Sequence, residues 1–560
     1  MTRPGLLTAL SPLPAWQAEF RRYTRAQFTQ DLLAGVTVGV VALPLALAFG
    51  VTSGAGATAG LITAIIAGAV ASAFGGSRFQ ITGPTGAMTV VLLPVIAQYG
   101  LSQVAVIGLL AGLMLITASA LRLGRAIHLM PWPVITGFTN GIAVIIALQQ
   151  LPAALGLPPV PGERILPASL DVLREFLRAP APAPVLLTLL TAGVLLLWPR
   201  LNVRLPGGIV ALLLVTALSL ALHLDVPRIG PVPTGLPWPS LPALDGQLLP
   251  HLLSPALAVA VLAGLESLLS AVVADGVTRT RHDPDRELLG QGLANLVTPL
   301  FGGIPSTGAI ARTAVGVRSG AQTRVTGLVH AAFLLLVTLV LGRFAALVPL
   351  SVLAGILLVT AARMFERDAS RTLRRSTRSD YVTLLATMTV TVAFDLILAI
   401  EVGLAVAGVL FVQRMIGTLN VEPMSIHQDA PADADAALLQ SRVLAYRVEG
   451  PLFFGVAGRF TEQLRALPDV DVVILRLRRV ATLDASGAHA LAQLQRDLHA
   501  QGVTLLLSGL QDQPRALLER MGLLEAVTTA GHHLFETTED ATRHAWRHVQ
   551  RAQALAELQP

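Results

Sequence analysis

Two short motifs hold the residues best suited to bind a small solute. The first is Gly83-Pro84-Thr85-Gly86, inside "QITGPTGAMTVVL"; the second is Ser306-Thr307-Gly308-Ala309, followed closely by Ala311 and Arg312. Both interrupt apolar regions, although Gly and Pro weaken a helix interior by about 1 and 3 kcal/mol. Irregular backbone is tolerated at bilayer depth only where it lines a cavity or is buried in protein. The motifs therefore read as the entries of two half-helices. Pro fixes the approach, Thr85 and Thr307 can cap, and Gly86 and Gly308 let a ligand come close to backbone. Each half-helix start presents free N–H groups and about half a positive charge. Two such ends facing each other make an anion site. Either motif alone also fits a glycine-rich kink for tight helix packing; the matched pair favours a site.

Two charges reinforce this reading. Arg312, within two turns of Thr307, would add full positive charge and a planar fork suited to a carboxylate or oxyanion. Its plainer alternative is an arginine that snorkels to the interface. Glu266, in "VLAGLESLLSAVVADG", is the only charge between residues 254 and 274. Acids inside spans are costly and usually functional. Glu266 is placed as the carrier of a coupling proton or cation, or as the fixed counter-ion of Arg312. Asp275 and Asp395 sit nearer span ends and read as interfacial.

The elements that hold these residues are membrane helices. Of the 560 residues 53% are hydrophobic and 13% charged, against about 25% charged in a typical soluble domain. Between residues 32 and 120 the only charge is Arg78. Apolar runs predict fourteen segments: 32–50, 57–75, 86–98, 102–121, 131–151, 182–198, 205–223, then 254–273, 289–301, 308–316, 325–342, 345–364, 380–399 and 401–416. Most approach the roughly 20 residues that a span needs, while the runs after Thr85 and Thr307 are too short. Thr85 and Thr307 differ by 222 positions. The same offset carries the first run onto the eighth and the fourth onto the eleventh. Seven is odd, so the second repeat is inverted relative to the first, and paired, broken short segments in such repeats mark a transporter's substrate site.

Arginine placement predicts orientation. Arg21, Arg22 and Arg25 precede the first segment, and Arg78, Arg122, Arg125, Arg318 and Arg324 follow even-numbered ones. The loop 152–181 is an exception, its three Arg balanced by acids. Both termini are therefore expected in the cytoplasm, with residues 1–30 a cytoplasmic segment and the first span its own insertion signal. The transport region is expected over 31–417, as repeats 31–224 and 250–417. Residues 418–438 read as a linker, and 439–550 alternate short strands with helices, predicting a small soluble α/β domain.

Several classes are excluded. The chain has no cysteine, which removes disulfides, thiol nucleophiles and cysteine-based metal sites. All 40 basic residues are Arg, which reads as base composition, and no nucleic-acid partner is expected. His489, His532 and His533 lie in the soluble part, and His532-His533 reads as a surface loop; no metal, cofactor or enzymatic activity is expected.

The stretches "ALPLALAFG" (42–50), "TGPTGAM" (82–88), "ESLLSAVVADG" (266–276) and residues 286–323 resemble the sulfate permease (SulP) family of anion transporters. The resemblance covers about residues 20–545. It implies a 7+7 inverted repeat, with segments one to four and eight to eleven forming a core domain and the rest a gate domain. It also implies a bacterial inner-membrane homodimer. By motif position it places an anion site on Phe49, Thr85, Gly86, Ala311 and Arg312. Many members carry a hydroxyl residue at the position of Ala311, and sodium-coupled bicarbonate transporters tend to carry Asp at that of Glu266. The departure at Glu266 favours a proton over sodium. The soluble domain resembles the STAS domain: "LDASGAHAL" matches its strand-to-helix loop, with Asp484 and Gly487 framing Ser486, the position phosphorylated in bacterial regulators. The plainer reading is that Asp484 or Ser486 caps the following helix.

The leading expectation is a proton-coupled symporter for sulfate or a C4 dicarboxylate such as fumarate. An uncoupled exchanger or channel for chloride or bicarbonate is the alternative. A nucleobase carrier would not favour Arg312 in its site, and a signalling anchor does not need fourteen spans with mirrored half-helices.

Overall fold

The computed structural model describes residues 13–557, apart from 22, 126–129, 159–164, 202–205, 231–234, 244–245, 395, 427, 428, 430, 432, 433, 464–469 and 529–531. Asp395, expected at an interface, lies outside the described residues. The chain divides into a helical unit, residues 1–407, and a second unit, residues 408–560.

All fourteen predicted segments are helices. In the first repeat they are α1 (Arg25–Thr52), α2 (Ala57–Phe74), α3 (Gly86–Tyr99), α4 (Leu101–Ala120), α5 (Trp132–Gln149), α6 (Pro182–Leu201) and α7 (Gly207–Ala221). In the second they are α8 (Leu249–Thr278), α9 (Pro284–Val297), α10 (Ile310–Arg318), α11 (Val325–Ala345), α12 (Leu350–Met364), α13 (Arg378–Ala393) and α14 (Leu396–Ile416). Among the described residues eight helices are long and apolar enough to cross a bilayer, and α3 and α7 are shorter apolar helices. The first helix begins seven residues before the predicted run because Thr24 and Gln27 form a reciprocal capping box at its start. The helices at Leu13–Phe20, Ile165–Arg178 and Arg367–Arg375 are additions to the predicted set. Their mixed polar sequences give no long apolar run.

The inverted repeat is visible in who packs on whom. Helix α1 packs on α11 as α8 packs on α4, and α2 packs on α11 as α9 packs on α4. The remaining helices pair as α5 with α13 and α12 with α6. Each contact maps onto its partner when the two repeats are exchanged, so α1–α4 with α8–α11 make one bundle and the others a second. Small residues allow the close crossings: a Cβ at Gly60 would lie 2.0 Å from the Ala46 carbonyl oxygen, so α1 and α2 meet backbone to backbone.

At the α1 entry, Asp31 is fully buried and replaces an apolar contact with a hydrogen-bond hub. Its carboxylate accepts from the backbone N–H groups of Gln322 and Thr323, from the hydroxyls of Thr323 and Thr326, and from the Tyr23 phenol. Burial and the hydrogen bond to Asp31 push the Tyr23 phenol up to about 12, which keeps it a donor. An orphaned buried donor costs about 1–3 kcal/mol. Asp31→Ala is therefore expected to destabilise the helical unit by at least about 3 kcal/mol, read as a clear drop in the thermal midpoint in detergent. An unchanged midpoint would show that the hub contributes nothing.

In the second unit a five-stranded sheet runs β3 (Asn420–Pro423), β4 (Val443–Glu449), β5 (Val472–Arg479), β6 (Thr504–Ser508), β7 (Leu534–Phe535), in that spatial order. The β3–β4 pair is antiparallel and the others are parallel. The edge strand β3 lies inside the stretch read as a linker, so the fold starts earlier than that reading placed it. Helices α15 (Ala436–Arg442), α16 (Ala457–Gln463), α17 (Ala485–Ala500), α18 (Asp512–Arg520), α19 (Leu524–Thr528) and α20 (Thr538–Glu557) complete the unit. Two apolar clusters form on the sheet. Leu491, Leu494 and Leu498 of α17 belong to one, and Ala541, Ala545, Trp546 and Val549 of α20 to the other.

Candidate functional site

The two half-helices meet at a two-residue antiparallel ladder, β1 (Thr82–Gly83) with β2 (Thr307–Gly308). Thr82 stands opposite Gly308 and Gly83 opposite Thr307. Exchanging the repeats maps this pairing onto itself, so the local two-fold axis passes through the ladder. The Ala309 N–H extends it by donating to the Ile81 carbonyl at 2.8 Å. From the ladder α3 and α10 depart in opposite senses, each with its N-terminus at the centre of the bundle.

The caps differ from the expected arrangement. Thr85 does cap α3, accepting from the Met88 N–H at 3.4 Å. Thr307 does not cap α10. The cap position is Ala309, which has no side chain able to bond, and the Thr307 hydroxyl donates to the Ala263 carbonyl and contacts Ser267. The cause is a difference in spacing. Two residues, Pro84 and Thr85, separate β1 from α3, but Ala309 alone separates β2 from α10. A constant sequence offset therefore pairs the wrong threonine with Thr85, and the first N–H groups of α10 are left to the cavity rather than to a hydroxyl.

A cavity of about 400 Å³ opens onto both helix starts. Phe49, Thr85, Gly86, Glu266, Gly308, Ala311 and Arg312 all line it, while Thr307 lies behind the wall. Arg312 is 1% exposed, which removes the snorkelling alternative. Its Nη2 donates to the Pro84 carbonyl, and its Nη1 is buried without a hydrogen-bond partner. A Cβ at Gly83 would sit 2.5 Å from that Nη1, so glycine is what lets the guanidinium reach the opposite half-helix. Glu266 is not the direct ion-pair partner of Arg312. It accepts instead from the Thr85 hydroxyl at 2.9 Å. One hydroxyl thus caps α3 and donates to the only carboxylate of α8 that faces the cavity.

Sequence reasoning missed the other wall. Thr139 of α5, Thr360, Arg363 and Met364 of α12, and Glu366 just beyond it complete the cavity. Arg363 donates to the Leu195 carbonyl at 3.2 Å, and Glu366 is held by Asn140, whose side-chain oxygen accepts its N–H at 2.7 Å. Burial raises the Glu366 carboxyl above the usual carboxylate range, and the Thr136 hydroxyl offsets this in part. In the sequence Thr139, Thr360, Arg363 and Met364 fall within the apolar runs 131–151 and 345–364 and Glu366 just after them, so no motif marks them.

In the second unit, Asp484 caps α17 by accepting from the Gly487 N–H at 2.8 Å, and also accepts from the Phe454 N–H. Ser486 is exposed in the first turn of that helix, as is His489 farther along it. His533 does not stand in a bare loop: its ring packs against those of His544 and His548.

Comparison with known proteins places this geometry. The model of the Sulfate permease family matches residues 28–387, and that of the STAS domain matches residues 436–541. YvdB of Bacillus subtilis is 36% identical over 536 residues, spanning 94% of this chain and 99% of that protein. The bicarbonate transporter BicA of Synechocystis is 35% identical over 519 residues, 89% of this chain and 91% of its own length. Among solved structures, the transmembrane domain of a cyanobacterium bicarbonate transporter BicA is similar at a TM-score of 0.62 and 36% identity, covering 69% of this chain and 98% of that one. The murine Slc26a9 anion transporter in the inward-facing state aligns at a TM-score of 0.84 over 97% of this chain and 95% of that one; at 18% identity it speaks for the fold alone.

Proposed function

The chain belongs to the sulfate permease family of anion transporters, and from that premise we propose that it takes up a small anion by proton-coupled secondary transport. The observation that carries the coupling is the shared Thr85 hydroxyl. It caps α3 and donates to Glu266, so the carboxyl and the anion-facing helix start are joined through one oxygen. An ionised Glu266 places negative charge against the cavity that the anion enters. Protonation removes that charge, so proton and anion favour each other's binding. Phe49, Thr85, Gly86, Gly308, Ala311 and Arg312 contact the anion in this reading, and Thr307 positions the second half-helix from behind.

The substrate we favour is sulfate or a C4 dicarboxylate such as fumarate. With Glu266 protonated, Arg312 and two helix starts together present about two positive charges, which matches a dianion. Import of such an ion is opposed by about 2.3 kcal/mol per charge per 100 mV of inside-negative potential, and each coupling proton offsets one of the two charges. Alternating access moves the α1–α4 and α8–α11 bundle against the other helices. The arginine pattern supports a cytoplasmic location for both termini and, with it, a cytoplasmic-facing Arg363 side of the cavity. We further read the protein as a bacterial inner-membrane homodimer.

The second reading is an exchanger or channel for bicarbonate or chloride; the 35% identity to the bicarbonate transporter BicA favours its bicarbonate substrate. Uptake of labelled sulfate, fumarate, bicarbonate and chloride into proteoliposomes, with and without an inward proton gradient, separates the two. Accumulation of one dianion only with the gradient is expected. Equilibration of all four regardless of pH would establish the uncoupled reading instead.

A further inference from the structure

Three histidines of the second unit have no place in transport. His533 precedes β7 directly, and His544 and His548 stand four residues apart, on one face of α20. Ring centroids are 5.6 Å apart for His533 and His544, 5.7 Å for His533 and His548, and 4.9 Å for the helical pair. One ring nitrogen from each comes within 4.8 Å of one from both others. The Nε2 atoms of His544 and His548 are 3.2 Å apart, and the His533 Nδ1 is buried without a partner.

This is close to a metal-ligand geometry. Metal–nitrogen bonds of about 2.0–2.1 Å in a tetrahedral site put ligand atoms about 3.4 Å apart. The helical pair already has that separation, and His533 completes it with a shift on the order of 1 Å. The frame is rigid: Ala545, Trp546 and Val549 bury α20 against the sheet, and Phe535 packs on the His544 ring at 5.1 Å. Burial and the neighbouring imidazoles hold His533 below the ordinary histidine range and His544 at about 4, and burial and Arg551 do the same for His548. An imidazole in its neutral form offers one ring-nitrogen lone pair to a metal. Arg547 and Arg551 act on His544 as well, and their charge weakens cation affinity without blocking coordination.

We propose that His533, His544 and His548 bind one divalent transition metal of the zinc class, with the fourth position open to water. Imidazole suits Zn²⁺, Co²⁺ and Ni²⁺ alike, and the ion would tie the C-terminal helix to the strand before it. The site is independent of the anion site and of its coupling.

The test uses the full chain without a polyhistidine tag, in detergent, titrated with Co²⁺. Strong visible absorption of tetrahedral type, saturating at one ion per chain, is expected. A weak spectrum of the six-coordinate aqueous type throughout the titration would overturn the proposal, and this readout needs no variant. His544→Ala and the milder His548→Gln are each expected to weaken binding at least about tenfold, while His489→Ala leaves it unchanged. Circular dichroism confirms that the variants are folded, and wild-type affinity in either folded ligand variant would refute the assignment.

Discussion

Arg312→Ala is expected to abolish concentrative anion uptake. The guanidinium is the one full positive charge buried at the meeting point of the two half-helices, with a terminal nitrogen that no protein group satisfies. Removing one partner of a desolvated, hydrogen-bonded charge pair costs about 2–5 kcal/mol. At 1.4 kcal/mol per decade, apparent affinity falls by roughly 30-fold to several thousand-fold. Arg312→Lys keeps the charge but loses the fork, and is expected to recover only part of it. The measurement is labelled uptake together with the rise in thermal midpoint on adding substrate. Both vanish in the alanine variant while its unliganded midpoint stays measurable. Wild-type uptake kinetics would remove Arg312 from the site.

Glu266→Gln is expected to separate transport from its driving force. Glutamine can still accept from the Thr85 hydroxyl, so the cap and the cavity keep their form, but it carries no exchangeable proton. With one proton coupled per anion and no membrane potential, a gradient of one pH unit is worth about 1.36 kcal/mol, or about tenfold accumulation. The wild type is expected to reach that ratio and the variant about unity. Counterflow of labelled against unlabelled anion is expected to persist in the variant, with a flat pH profile. Retained gradient-driven accumulation in Glu266→Gln would place the coupling proton elsewhere.

Much of this architecture is legible in the amino-acid sequence, and for identifiable reasons. Long apolar runs locate membrane helices because length and hydropathy are local properties, and "GPTGA" stands out because it breaks a helix where breaking is expensive. The register of the second motif is not legible. Whether Thr307 or Ala309 caps α10 depends on one residue of spacing after a ladder that pairs positions more than two hundred residues apart. The opposite wall of the cavity is hidden similarly: Arg363 ends a helix that reads only as an apolar run, Glu366 lies just beyond it, and only the packing of α12 on α5 brings both to the cavity. The histidine trio leaves one usable signal, the four-residue spacing of His544 and His548. His533 joins them only through the packing of α20 on the sheet.

The β1–β2 ladder has a consequence for direction. It stitches the two half-helices together across the local axis, so neither side of the binding cradle can shift without the other. In the proposed cycle, loading at one membrane face and unloading at the other would take place in the same cradle, with the same hydroxyl, helix starts and guanidinium. Nothing in such a cradle prefers import over export. The proposed cycle is therefore reversible, with net flow decided by the gradients on the two sides.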